Sequence, residues 1–355
     1  MQKTRIWLGL TAAFLVSGSM AGSASAARHH HAAAASKPAA QKQAQAQQRA
    51  PAINQNVLQA EVLLDRAGFS PGVVDGHDGD NFAKALRAFQ QVQGLQVGPL
   101  DQATLEKLGQ MGGGPALGEY TIQPQDVAGP FVAEIPRQFD EMAQLPQLAY
   151  PNPRQLIAAK FHMSEGLLAA LNPGKNFAEA GTVLSVPNVP QGGDDPAVVA
   201  QELHQHRGNT GSSAAPGQAA ARVVVNKGNR TVQVFSADNR LLAFLPASIG
   251  SAEKPAPSGT FQVARVDYNP TYTYDPVYHF KEQKTQHKAT VKPGPNNPVG
   301  VVWIALSVKG YGIHGTPDPD AVGKTQSHGC IRLTNWDALT LARLVRKGTP
   351  VEFVG

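Results

Sequence analysis

The one cysteine of the 355-residue chain, Cys330, lies in Ser327-His328-Gly329-Cys330-Ile331-Arg332, sixteen residues after His314 in Gly312-Ile313-His314-Gly315-Thr316. A thiol acts as a nucleophile when its thiolate is favoured and a base can take its proton. His314 and His328 offer imidazoles for that role if the two segments lie side by side. On an extended segment Cys330 and Arg332 leave the same face, with His328 on the other side of the thiol. Positive charge there is expected to favour the thiolate and to attract a substrate carboxylate. Gly329 would leave the amides around Cys330 open to a reacting carbonyl, as an oxyanion hole requires. Gly312 and Gly315 would let substrate approach His314 closely. Two other readings stand beside this one. A lone cysteine is commonly a buried packing residue, although His and Arg neighbours argue against that. Cys330, His328 and His314 could also supply three ligands to zinc, with no second cysteine or carboxylate cluster in support.

The start of the chain bears on the thiol. Residues 1–26 carry Lys3 and Arg5, an apolar core from Ile6 to Val16, and small residues ending Ala24-Ser25-Ala26. That is the pattern of a cleaved signal peptide, too short for a membrane span. The mature protein is expected in the periplasm or cell wall, with neither a transmembrane anchor nor a lipid anchor. In an oxidising compartment a single cysteine has no disulfide partner in its own chain, so it is buried, paired between chains or reactive.

Composition divides the rest. Residues 27–52 are Ala, Gln, Lys and His with few large apolar side chains and read as a flexible tether. Its His29-His30-His31 triplet lacks a preorganised metal site. Breaks at 111–118 (Gly-rich) and 191–221 (Gly, Ser, Ala and Gln) leave three folded units, about 53–110, 119–190 and 222–355. The first reads as three helices. Val57, Leu58, Val62, Leu63 and Leu64 recur at helical spacing, then Phe82, Leu86 and Phe89, then Leu105 and Leu108 behind an Asp101 N-cap. The acidic turn Asp75-Gly76-His77-Asp78-Gly79-Asp80 fails as a calcium loop, because Leu86 or Phe89 stands where the closing glutamate belongs. Asp80 or Asn81 is expected to cap the following helix instead.

The second unit reads as a strand at Glu119–Ile122, helices from Pro153 and after Ser164, and a closing strand over Gly181–Pro187. Some thirty residues separate its first strand from its first helix. In the third, short apolar runs at 223–225, 231–235, 241–244, 260–263 and 301–306 are strands. A late helix capped by Thr334 follows, and Val351–Val354 can return to the sheet. This is a mostly-β domain of the sandwich or open-barrel kind.

Three resemblances follow from these residues. The run from Val74 to Gln90, with Gly68-Phe69 before it and Gly94-Leu95 after it, resembles the small three-helix peptidoglycan-binding domain found beside wall enzymes. The strand–helix–helix–strand order of 119–190 resembles a LysM module, which grips glycan strands. Ile313-His314-Gly315-Thr316 with Ser327-His328-Gly329-Cys330-Ile331-Arg332-Leu333, together with Pro257–Phe261 and Pro295–Gly300, resembles the active-site signature of the YkuD-type L,D-transpeptidases. The last resemblance implies that Cys330 is the nucleophile and His314 the general base. The Gly315 carbonyl would orient the imidazole, and the amides of Gly329 and Cys330 would form the oxyanion hole. Ser327, His328 and Arg332 would shape the pocket, with Tyr311 and Trp303 as substrate contacts. No metal or organic cofactor is implied.

The implied reaction serves cell-wall biogenesis and cell shape. Cys330 attacks the bond between meso-diaminopimelate, third in a tetrapeptide stem, and terminal D-alanine, and a second stem's amine takes the acyl group to give a 3→3 crosslink. The same thioester could pass to a lysine of an outer-membrane lipoprotein, to a D-amino acid or to water. Carbapenems are expected to acylate the thiol. A non-catalytic wall-binding protein is the third alternative. Charge agrees with acidic stem peptides as partners: residues 222–355 hold 16 Lys and Arg against 9 Asp and Glu, and binding through this surplus is expected to weaken as salt rises. The export signal and the lack of a basic-aromatic cluster argue against nucleic acid.

Overall fold

The computed structural model describes residues 52–190, 195–205, 219–251, 254–278, 283–325 and 329–355. The export segment, nearly all of the tether with its histidine triplet, Ser327 and His328 lie outside the described residues. Three helices come first: α1 (Gln55–Arg66), α2 (Asp80–Val92) and α3 (Gln102–Gly112). Asn54 caps α1, and the Asp101 carboxylate caps α3 by accepting from the Thr104 amide at 2.8 Å. The expected cap of α2 is different. Gly79 occupies that position with no side-chain bond, Asp80 is the first helical residue, and Asn81 donates to the Val322 carbonyl at 2.8 Å. The run of apolar residues on α1 is wide because it serves two cores. Val57, Leu63 and Leu64 join Phe82, Leu86, Phe89 and Leu108, while Leu58 and Val62 face the next unit.

In that unit β1 (Leu117–Thr121) pairs antiparallel with β2 (Val183–Pro187), and α4 (Pro124–Ala128), α5 (Phe139–Met142), α6 (Pro153–Lys160) and α7 (Glu165–Leu171) lie between them. Caps from Asn152 and Ser164 start α6 and α7. The segment expected as a plain linker, 191–221, contains a helix, α8 (Pro196–Gln205). Its Val199 and Ala200 are buried in the C-terminal core, with Ala197 and Leu203 packed against it. These four apolar residues lie within one helical stripe, and that burial stabilises a segment whose flanks are rich in small polar residues.

The C-terminal strands are β3 (Arg222–Asn226), β4 (Thr231–Phe235), β5 (Leu241–Pro246), β6 (Ser248–Ile249), β7 (Gly259–Tyr268), β10 (Val302–Leu306), β11 (Gly312–His314), β12 (Ile331–Arg332) and β13 (Pro350–Val354). Between β7 and β10, the hairpin of β8 (Tyr272–Tyr274) and β9 (Ala289–Val291) stands apart. The large sheet has the order β5-β4-β3-β13-β7-β10-β11-β12-β6. Its outermost strands, β5 and β6, are separated in the chain by Ala247 alone, so the sheet must curl until its edges approach. The long strand β7 serves both halves, pairing with β13 through its first residues and with β10 through its last. One late helix, α9 (Asn335–Leu344), starts at Thr334, whose side chain accepts from the Asp337 amide at 3.1 Å, and buries Leu339 and Leu341 against the curled sheet.

The three folded units are not beads on linkers. Pro51–Gly355 form one compact unit, in which Phe244 of β5 is buried among the side chains of the helical unit. The backbone is continuous there too, with Phe244 N donating to the Gly68 carbonyl at 2.8 Å and Ser70 N to the Phe244 carbonyl at 2.9 Å. Among the described residues no helix is long and apolar enough to cross a membrane.

Candidate active site

Strands β11 and β12 pair in parallel, Ile313 opposite Ile331 and His314 opposite Arg332. That register brings together the two sequence segments that hold the candidate chemistry. Alternation along each strand sends Ile313 and Ile331 into the core and leaves His314 and Arg332 on the other face. Cys330, one residue before β12, opens onto the same cavity of about 720 Å³, which His314, Arg332, Trp303, Lys254 and Arg265 also line.

His314 is buried, and its Nδ1 lies 2.6 Å from the Gly315 carbonyl. A carbonyl only accepts, so Nδ1 carries the proton and Nε2 is left as an acceptor. The ring stacks on Trp303, its cross-strand partner, at 5.4 Å between centroids and 24° between planes. Burial pulls the imidazole down to about 4; the Gly315 carbonyl favours its charged form and is outweighed, while Arg332 adds to the depression. Burial likewise pushes the Cys330 thiol above its ordinary value, against a backbone bond from Gly312 and the charges of Arg332 and Lys254. Arg332 and Lys254 favour the thiolate, as their charge leads one to expect, but desolvation outweighs them and the net shift is upward. The Cys330 Sγ lies 3.9 Å from the Gly310 carbonyl, a long contact for a thiol donor.

The glycines have a different use from the one expected. A Cβ on Gly312 would fall 2.6 Å from the Trp303 ring, and one on Gly315 or Gly300 would overlap the Asn335 side chain. Their missing side chains make room for protein groups, not substrate. Asn335 was not singled out by sequence, because its position reads simply as the start of a helix. It is buried, accepts from the Val301 amide at 3.2 Å and donates to the Pro295 carbonyl at 3.2 Å, so it ties α9 to the loop before β10. Gly329 does need its freedom, with φ at 103°. Tyr311, expected as a substrate contact, is half-buried beside Gly329 and packs against the core; it is not among the cavity-lining residues. Lys254, in the loop before β7, and Arg265, within β7, were missed because isolated cations have no sequence signature. Among the described residues no group of three or more His, Cys, Asp or Glu could hold a metal ion.

The sequence has counterparts in known proteins. Residues 220–353 match the family model described as "L,D-transpeptidase catalytic domain", and residues 54–108 match "Putative peptidoglycan binding domain". "Putative L,D-transpeptidase YkuD" of Bacillus licheniformis is 28% identical over 198 residues, spanning 55% of this chain and 90% of that protein. "Putative L,D-transpeptidase YqjB" of Bacillus subtilis is 33% identical over 135 residues, covering 36% of this chain and 68% of that protein. A solved structure, "L,D-transpeptidase from Mycobacterium smegmatis", aligns with 24% identity and a TM-score of 0.31, over 38% of this chain and 58% of that one. With a third of the aligned residues shared across two thirds of YqjB, and the catalytic-domain match running from β3 into β13, the chain belongs to the YkuD family of L,D-transpeptidases and carries an N-terminal peptidoglycan-binding domain.

Proposed function

We propose that this protein is a cysteine L,D-transpeptidase that crosslinks peptidoglycan in the periplasm while its N-terminal domains hold the wall. The observation that carries the reading is the parallel β11–β12 pair, which sets a buried imidazole and a thiol in one cationic cavity. Neutral His314, with Nε2 free to accept, takes the Cys330 proton as sulfur attacks the carbonyl of meso-diaminopimelate in a tetrapeptide stem. The tetrahedral oxyanion is held by the amides of Gly329 and Cys330, the imidazolium returns its proton to the leaving amine, and D-alanine departs from a thioester. The side-chain amine of a second stem then attacks the thioester and gives its proton to His314. The C–S bond breaks, the Cys330 thiolate leaves and takes that proton back, and the 3→3 crosslink is formed. Arg332, Lys254 and Arg265 suit the carboxylates of the stems. Trp303 walls the imidazole. The peptidoglycan-binding domain and the LysM-like residues 119–190 supply contacts to peptide and glycan. Carbapenems acylate the same thiol.

Intact mass spectrometry tests this. After incubation with a meso-diaminopimelate tetrapeptide the wild-type protein gains the acyl mass, and Cys330→Ala does not. Adding an amine-bearing stem then gives the crosslinked product. Transfer instead to a lipoprotein lysine, a D-amino acid or water would move the acceptor assignment. No adduct on a protein with a free, reduced thiol would point to a non-catalytic wall-binding protein.

A further inference from the structure

The thirty residues between β1 and α6, which a strand–helix–helix–strand module does not need, reach the catalytic cavity. Their short helix α5 lies on the β8–β9 hairpin. The Phe139 ring sits 5.3 Å from Tyr272 and 4.7 Å from Tyr274. Phe139, Leu148, Tyr274, Ala289 and Val291 form a buried cluster separate from the three larger cores. A ladder of polar bonds runs alongside. The Gln283 side chain accepts from the Phe139 amide at 3.1 Å and donates to the Arg137 carbonyl at 2.8 Å. Lys284 N donates to the Gln138 side chain at 2.6 Å, and the Thr285 hydroxyl to the Asp140 carboxylate at 2.9 Å. At the far end Leu148 N donates to the Pro293 carbonyl at 3.0 Å, and Asn296 N to the Leu148 carbonyl at 2.9 Å. Four residues are too few for a helix to stand on its own, so α5 takes its shape from the hairpin it fastens.

Phe139, Gln283, Tyr272 and Thr273 line the same cavity as Cys330 and His314. The cavity therefore has an aromatic wall that includes a residue from outside the catalytic domain, and cations at Lys254 and Arg332, with Arg265 paired to the lining Asp267 at 2.6 Å. A peptide stem has both features these walls fit, carboxylates and aliphatic side chains.

We propose that residues 135–149 are a strap through which the N-terminal part of the chain builds one wall of the donor pocket, with Phe139 a specificity-determining residue that contacts the stem peptide. This rests on the transpeptidase reading above. It is tested by steady-state kinetics of the full chain with a tetrapeptide donor, alongside the rate at which iodoacetamide alkylates Cys330. Phe139→Ala is expected to raise the donor KM about tenfold and leave kcat within threefold. Phe139→Tyr restores KM to within twofold of wild type. Thr285→Val, which loosens the hairpin's tie, raises KM two- to threefold, and alkylation stays within twofold throughout. A Phe139→Ala KM within twofold of wild type would overturn the strap, as would equal losses of kcat and alkylation in the Ala and Tyr variants. Should Phe139→Ala not fold, Phe139→Leu decides by the same KM criterion. A wild-type protein that releases no D-alanine sinks the transpeptidase reading and this inference with it, whereas an active wild type with an indifferent Phe139 sinks the strap alone.

Discussion

Burial lowers the His314 imidazole and raises the half-buried Cys330 thiol, so both shifts favour a neutral pair over a charged one. Arg332 adds to the effect by working against His314 protonation. A neutral imidazole with its proton on Nδ1 is the form the proposed base role requires, and burial holds its value down to about 4. The acid limb of kcat/KM is therefore expected near pH 4, well below the ordinary histidine value. The rate of alkylation by iodoacetamide should keep climbing past pH 9, because burial holds the thiol above its ordinary value. An alkylation rate already at its plateau by pH 7 would mean a thiolate–imidazolium pair instead. At this scale the sequence was most legible. Residue types and the sixteen-residue spacing were enough to nominate the pair, but their protonation depends on burial that no spacing reveals.

Strands β10 and β11 depend on a size match between one large and one absent side chain. Trp303 lies across Gly312 and stacks on His314, so the glycine sets where the base's ring rests. Gly312→Ala is expected to push the indole aside, destabilising the protein by roughly 1–3 kcal/mol as overpacked cores do and lowering kcat by about tenfold or more. Denaturant melts and single-turnover acylation rates check both parts; unchanged acylation would mean that Trp303 does not position the imidazole. Elements with strong periodicity were legible: α1 to α3, α6, α7, α9 and the strands rich in Val and Leu. The two- and three-residue strands β6, β8, β9, β11 and β12 were not, because so few residues show no alternation and exist only through pairing. Helix α8 was hidden by its setting, since composition averaged over 191–221 masks ten residues that bury Val199 and Ala200.

Across the whole molecule, α9 joins all three folded units. Its Asp337 carboxylate accepts from the Ser70 hydroxyl of the helical unit at 3.0 Å, and Trp336 stacks at 5.0 Å on His162 of the second unit. His162 in turn contacts Asp65 of α1 at 2.8 Å. Burial, reinforced by the nearby Asp65, holds the Asp337 carboxyl well above the usual carboxylate range. A raised folded-state value means that the native protein keeps this proton after the unfolded chain has lost it. The stability it contributes is thus present at low pH and lost as pH rises through the folded value. Asp337→Asn removes that titration and is expected to raise Tm at pH 8 by roughly 2 °C or more, while leaving it unchanged at pH 4. A lower Tm for the variant at pH 8 would show that the carboxylate is held as a stabilising anion.

Local information was sufficient for the helices, the strand-rich C-terminal domain and the peptidoglycan-binding resemblance, and it nominated Cys330 and His314 as a pair, because each rests on periodicity or on residues close in the chain. Tertiary structure alone decided three things: that the sheet curls to bring β5 and β6 together, that the glycines around His314 make room for Trp303 and Asn335, and that Phe139 reaches a cavity whose thiol is nearly two hundred residues away. Each depends on burial between segments far apart in sequence. Burial of that kind is set by how surfaces meet once the chain has folded, and neighbouring residues carry no record of it.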